Sequence, residues 1–78
     1  MPALLRVGPC RFFIYSIDCQ EPAHIHVERD QNVAKFSLKP VRMQNSGGFK
    51  RHEINGIYRV IDENLDELLW GWHERCDD

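Results

Sequence analysis

The sequence predicts an α+β fold: a small antiparallel sheet of about four strands, followed by two C-terminal helices packed on one face. Two patterns predict it. Runs rich in Val, Ile, Leu, Phe and Tyr, separated by turn residues, fill the first half of the chain. Apolar residues then recur at i, i+3, i+4 and i+7, first from Ile54 and again from Leu65. The length of 78 residues fits one domain, 1–78.

The elements follow in order. "ALLRV" and "CRFFIYS" are the first two strands, with "GP" as the turn between them. Both faces of the second are apolar: Phe12 and Ile14 point one way, Phe13 and Tyr15 the other. That pattern suits an interior strand covered on both sides. "DCQEPA" is a loop. "HIHVER" and "VAKFSL" are the third and fourth strands, joined by "DQN", and Pro40 ends the fourth. Residues 44–48, "QNSGG", form a flexible connection. The first helix carries Ile54, Ile57, Tyr58 and Ile61 on one stripe, with Gly56 costing it about 1 kcal/mol relative to Ala. Asn64, with Glu67 three residues on, signals a capped start for a second helix bearing Leu65, Leu68, Leu69 and Trp72. One long bent helix is the alternative.

Composition excludes some classes. Hydrophobic residues make up 42% and charged residues 28%, as in a soluble globular domain. No run approaches the ~20 apolar residues that cross a bilayer, so no membrane partner is expected. The start "MPALLRVGPC" lacks the basic and long apolar parts of a signal peptide. Cys10, Cys19 and Cys76 are odd in number and match no zinc-pair spacing. Reduced thiols in a cytoplasmic protein are the expectation. Net charge is only −2, but residues 33–61 carry six cations against Glu53, a net +5. Residues 62–78 carry seven acids against Arg75, a net −6. A phosphate-binding surface beside an acidic one would show this asymmetry, as would a merely solvated surface.

The stretch "EPAHIHVERD" holds the chemistry. Alternate strand residues share a face, so His24, His26 and Glu28 point together. Hydrophobic matching across "DQN" sets Ile25 opposite Phe36 and Val27 opposite Ala34, on the core face. His24 then lies opposite Ser37, and His26 opposite Lys35, on the other face. A one-residue slip would bury Lys35 and Ser37, so this parity is well specified. The face carrying His24, His26 and Lys35 is expected to be open to solvent or to a groove.

Three readings of that face stand side by side. His24, His26 and Glu28 could supply three metal ligands, although Lys35 beside His26 disfavours a bound cation. Alternatively, His26 is a general base, His24 a second acid or base, and Lys35 a phosphate contact. A neighbouring lysine favours the neutral imidazole that a base needs. Ser37, Lys39, Arg42, Lys50 and Arg51 would extend the binding track along a nucleic acid. No cofactor is required. The third reading is a half-exposed sheet face whose histidines bond to neighbours. His52, in a basic turn, could approach a phosphate, whereas His73 reads as surface. Trp70 is out of phase with Leu65, Leu68, Leu69 and Trp72, and so is a candidate for a partner interface or a homodimer contact.

Taken in order, "LLRVGPCRFFIYS", "EPAHIHVER", "AKFSL", "PVR", "SGGFKRHE" and "ENLDELLWGWHE" resemble the small bacterial family called domain of unknown function 4160, over nearly the whole chain. The specific part is Pro22, His24, Ile25, His26 and Val27 with Ala34, Lys35 and Phe36. Ala23 departs from the family's P-P-H-I-H step, and Cys10 and Cys19 fall where variable residues are expected. The resemblance implies a toxin-like protein encoded beside a small antitoxin-like partner. It also suggests likeness to HicA-type interferases, which carry a histidine on a small sheet. The expected function is therefore RNA binding, with metal-independent cleavage as a further expectation. The competing expectation is a non-enzymatic module that docks a protein or DNA.

Overall fold

The computed structural model describes residues 3–15 and 19–76. Ser16 at the end of the expected second strand, Asp18 in the following loop, and the acidic Asp77 and Asp78 lie outside the described residues. Five strands come first: β1 (Leu5–Val7), β2 (Cys10–Phe13), β3 (His24–Arg29), β4 (Asn32–Leu38) and β5 (Val41–Asn45). Two helices follow, α1 (Arg51–Glu63) and α2 (Leu65–Cys76). The strands form one sheet in chain order, each antiparallel to the next. Tight turns make this meander possible. Asp30 turns β3 into β4 at φ 55°, a left-handed conformation that its short polar side chain tolerates.

The register between β3 and β4 is the one that hydrophobic matching predicts. Ile25 pairs with Phe36, Val27 with Ala34, His24 with Ser37 and His26 with Lys35. Ile25, Val27, Ala34 and Phe36 are sealed from solvent. Phe12 and Ile14 from β2 and its end join them, and α1 lays Ile54, Ile57 and Ile61 over this face. The Tyr58 ring meets Phe36 edge-on at 5.1 Å between centroids. Its hydroxyl accepts the Met43 N–H of β5 at 2.6 Å. Gly56 is exposed on α1 and touches nothing that would resist a side chain, so its cost to the helix buys no close packing.

Four expectations need correction. A fifth strand follows Pro40 and runs into the expected connection 44–48: Val41–Asn45 pairs with β4 through Leu38↔Val41, Ser37↔Arg42 and Phe36↔Met43. It escaped detection because most of its residues are exposed and polar, as an edge strand allows. The true connection is residues 46–50. There Gly47 sits at φ 58° hard against the Val33 carbonyl, where only glycine fits. Asn64 does not cap α2 with its side chain. Its Nδ2 donates back to the Val60 carbonyl at 2.8 Å, finishing α1, and it alone separates two distinct helices.

The third correction concerns the cysteines. Cys19 and Cys76 are joined in a disulfide across 57 residues, and Cys10 alone is a thiol. Sequence spacing could not pair them, because their approach depends on where α2 comes to rest. That position is set by Leu68, Gly71 and Trp72, which are buried. Gly71 presses on Leu4 so closely that a Cβ there would lie 2.9 Å from the leucine methyls. α2 therefore packs where β1 and β3 begin, and this placement causes the fourth correction, the burial of His24 described below.

Two outcomes follow for stability. Leu68→Ala removes a fully buried side chain and should cost about 2–5 kcal/mol, enough to unfold much of a domain this small. Calorimetry on the purified variant checks it. Cys76→Ser, or reduction of the wild type, should lower stability by about 2–4 kcal/mol through the freed unfolded chain. A melting temperature indifferent to reductant would show that the disulfide contributes nothing to the fold.

Candidate nucleic-acid interface

Strand parity sorts the sheet into two faces. The face away from the core carries Arg6, Arg11, Phe13, His24, His26, Glu28, Lys35, Ser37 and Arg42, as the four pairings require. Tyr15, just past β2, joins them. Its ring lies 5.0 Å from Phe13 and 4.8 Å from His26, edge-on in both cases. Phe13 stacks on its cross-strand partner His26 at 5.7 Å. The Arg11 guanidinium sits 4.8 Å above the Phe13 ring. Phe13 is thereby buried beneath side chains of its own face, with no second layer of structure needed to explain the apolar alternation of β2. Tyr15 remains 43% exposed.

His24 corrects the expectation of an open pair of histidines. It is only 2% exposed. Its Nδ1 donates to the Pro22 carbonyl at 2.9 Å, which assigns the proton to that nitrogen because a carbonyl can only accept. Trp72 of α2 lies 5.1 Å from its ring on one side and His26 5.3 Å on the other. The parity was right, but the helix that covers the start of β3 takes His24 out of solvent. His26, one pleat further along, is half-exposed.

The other expected site residues divide into two groups. Lys35, Ser37 and Arg42 share the open face with His26. Lys35 Nζ donates to Glu21 Oε1 at 2.9 Å, and Ser37 Oγ donates to the Pro40 carbonyl at 2.6 Å. Arg42 is exposed, as is Lys39 in the β4–β5 turn. Lys50 and Arg51 are exposed as well, but they begin α1, which lies over the opposite face of the sheet. The structure does not bring them to His26. Glu28, the third ligand of the metal reading, is held by Arg11 at 2.7 Å. Among the described residues no group of three His, Cys, Asp or Glu is placed to hold a metal ion.

Sequence reasoning missed Arg11, Phe13 and Tyr15 as members of this face. Their signal was present as shared parity with His26. Reading it requires the β2–β3 register, Phe13 opposite His26, and those strands are joined by a long loop with no turn to count from. The ion pairs on the face are half-exposed, and pairs near the surface contribute about 0–1 kcal/mol. An incoming phosphate can therefore exchange with Glu21 or Glu28 at little cost. The face offers an aromatic platform at its middle and cations around it.

A second, smaller feature lies under α1. A groove of about 250 Å³ is lined mainly by Val7, Pro9, Phe12, Phe49, Ile57 and Val60, with Cys10 at its wall. Burial pushes the Cys10 thiol up, against the opposing pull of Arg29. At the rim Arg29 binds Glu53 Oε2 at 2.6 Å. The Lys50 N–H donates to Glu53 Oε1 at 2.9 Å, across the N-terminus of α1. That hydrogen bond holds the Glu53 carboxyl below the ordinary range, and Arg29 pulls the same way against the cost of burial.

The family model for "Domain of unknown function (DUF4160)" matches residues 10–73, most of the chain. No curated protein and no solved structure matches it.

Glu53 gives a pH prediction. Its folded value is depressed, so its contribution is present above the unfolded carboxylate range and is lost as pH falls through the folded value. Melts between neutral and acid pH should show the wild type losing stability on that limb, and Glu53→Gln should flatten it. A Gln variant with an unchanged acid limb would remove the α1 cap as its cause.

Proposed function

The chain belongs to the DUF4160 family, and from its open sheet face we propose that it binds single-stranded RNA as the toxin-like member of a protein pair. One observation carries this reading: Tyr15, His26 and Phe13 form a contiguous aromatic cluster, with Arg11, Lys35 and Arg42 on the same face. An unpaired base stacks on an exposed ring while lysine and arginine take the phosphates on either side. A base stacked on Tyr15 would leave the adjoining phosphates within reach of Lys35 and Ser37.

Cleavage is the enzymatic extension of the same proposal. His26 takes the proton of a ribose 2′-hydroxyl, and the 2′-oxygen attacks the adjoining phosphorus. The P–O5′ bond breaks, leaving a 2′,3′-cyclic phosphate and a 5′-hydroxyl. Lys35 offsets the charge that develops on the phosphate. Trp72 shields His24, so the proton for the leaving 5′-oxygen comes from water, and His24 acts by positioning His26. The burial of His24 also favours a second reading, because it leaves one accessible imidazole where two-histidine catalysis would need a pair. On that reading the face binds RNA or DNA without cutting it, and the antitoxin-like partner docks elsewhere on the molecule.

Titration with a labelled single-stranded RNA separates these readings. With Arg6, Arg11, Lys35 and Arg42 in contact, log K should fall against log salt with a slope of roughly −3. Tyr15→Ala should weaken binding by about 1–3 kcal/mol. His26→Ala should abolish cleavage, with a smaller loss of affinity than Tyr15→Ala. Binding without any cut RNA leaves the module reading. No binding at low salt sinks both, and normal growth on expression of the single gene removes the toxin-like role.

A further inference from the structure

Trp70 is 65% exposed, whereas Trp72, two residues on, is buried in the core. At 3.6 residues per turn, Trp70 points about 200° away from Leu68 and from Trp72, straight out from the packed face of α2. Asp66 lies one turn before it on the same stripe, Glu74 one turn after, and Glu67 beside it. All three are exposed. Among the described residues no ion pair neutralises them, nor the adjacent Asp62 and Glu63. The carboxylates thus flank a large exposed aromatic, and the basic residues at the end of α2, His73 and Arg75, form no ion pair with them among the described residues.

We infer that the outer face of α2 is a docking surface for a Lys/Arg-rich segment of a partner protein, with Trp70 as its anchor. Charge decides the occupant. A nucleic acid is repelled by this face, and a second α2 set against it across a two-fold axis would oppose carboxylate to carboxylate. A guanidinium or ammonium group instead stacks on the indole while the carboxylates at either side accept its N–H groups. The surface is separate from the open sheet face, so the inference stands whether or not RNA binds there.

The probe is a synthetic peptide of alternating Lys, Arg and Leu that contains no aromatic residue. Trp70 reports its arrival directly, because an exposed indole shifts its emission on contact while buried Trp72 does not. The expected result is a saturable, salt-sensitive emission change. Affinity, read for the variants by calorimetric titration because Trp70→Ala removes the emitting ring, should drop about tenfold or more in Trp70→Ala and in the Asp66→Lys, Glu74→Lys double variant, with thermal melts close to wild type. Binding unaffected by Trp70→Ala, or no binding at all, overturns the proposal. So does a Trp70→Ala melt as early as that of Leu68→Ala, which would make Trp70 a stability residue. A sedimenting dimer that Trp70→Ala dissociates would assign the face to a second copy of this chain instead.

Discussion

Ile25 opposite Phe36 and Val27 opposite Ala34 hold the two longest strands in a single register, and all four side chains are sealed beneath α1. Everything else is placed by that pairing. Side chains alternate across a strand, so burying these four turns His26, Lys35 and Ser37 to the other side without further instruction. The neighbouring strands then add to each face in the same phase. β2 contributes Phe12 to the core and Phe13 to the aromatic cluster, and β5 contributes Arg42 to the open face. The core and the candidate site are two readings of one alternation, so a slip that exposed Ile25 would also scatter the cations and rings opposite.

This explains which features were legible in the sequence. The β3–β4 register could be derived because a two-residue turn joins strands whose apolar residues alternate cleanly. The stripe of Ile54, Ile57 and Ile61 and the outward turn of Trp70 were legible for a similar reason, since helical phase is a local property. What failed depended on long-range placement. β5 is polar and lies at an edge, so neither periodicity nor hydrophobicity marks it. The burial of His24 and the union of Cys19 with Cys76 both require α2 to come back over the beginning of β3. Nothing in the local pattern around residues 19–24 announces a helix that lies some fifty positions later in the chain. Asn64 is a subtler case: its position between the helices was right, but its side chain bonds backwards to Val60.

The two ends of the charge distribution have different structural supports. On the sheet the cations are partly matched: Arg11 by Glu28, Lys35 by Glu21 and Arg29 by Glu53. On α2 the carboxylates near Trp70 have no such partners among the described residues. Matched pairs keep a face soluble and exchangeable, ready to trade a carboxylate for a phosphate. An unmatched cluster on a rigid helix keeps its full field and attracts opposite charge from a distance of about a Debye length. The molecule thus presents one face of rings and matched charges and another of unmatched acidic charge.

The bond between Cys19 and Cys76 also divides the chain mechanically. It closes a covalent ring that contains β3, β4, β5, α1 and α2, and leaves the β1–β2 hairpin hanging outside it. Force applied on the N-terminal side can peel the hairpin away strand by strand, but on reaching Cys19 it meets sulfur and passes directly to Cys76. Force applied beyond Cys76 is diverted the same way and cannot unwind α2 from its end. A threading unfoldase pulling from either side would have to draw two lengths of polypeptide through its pore together until the bond is reduced. Reduction of the bond therefore changes how the ring is processed, whereas the hairpin is open to mechanical work in either redox state.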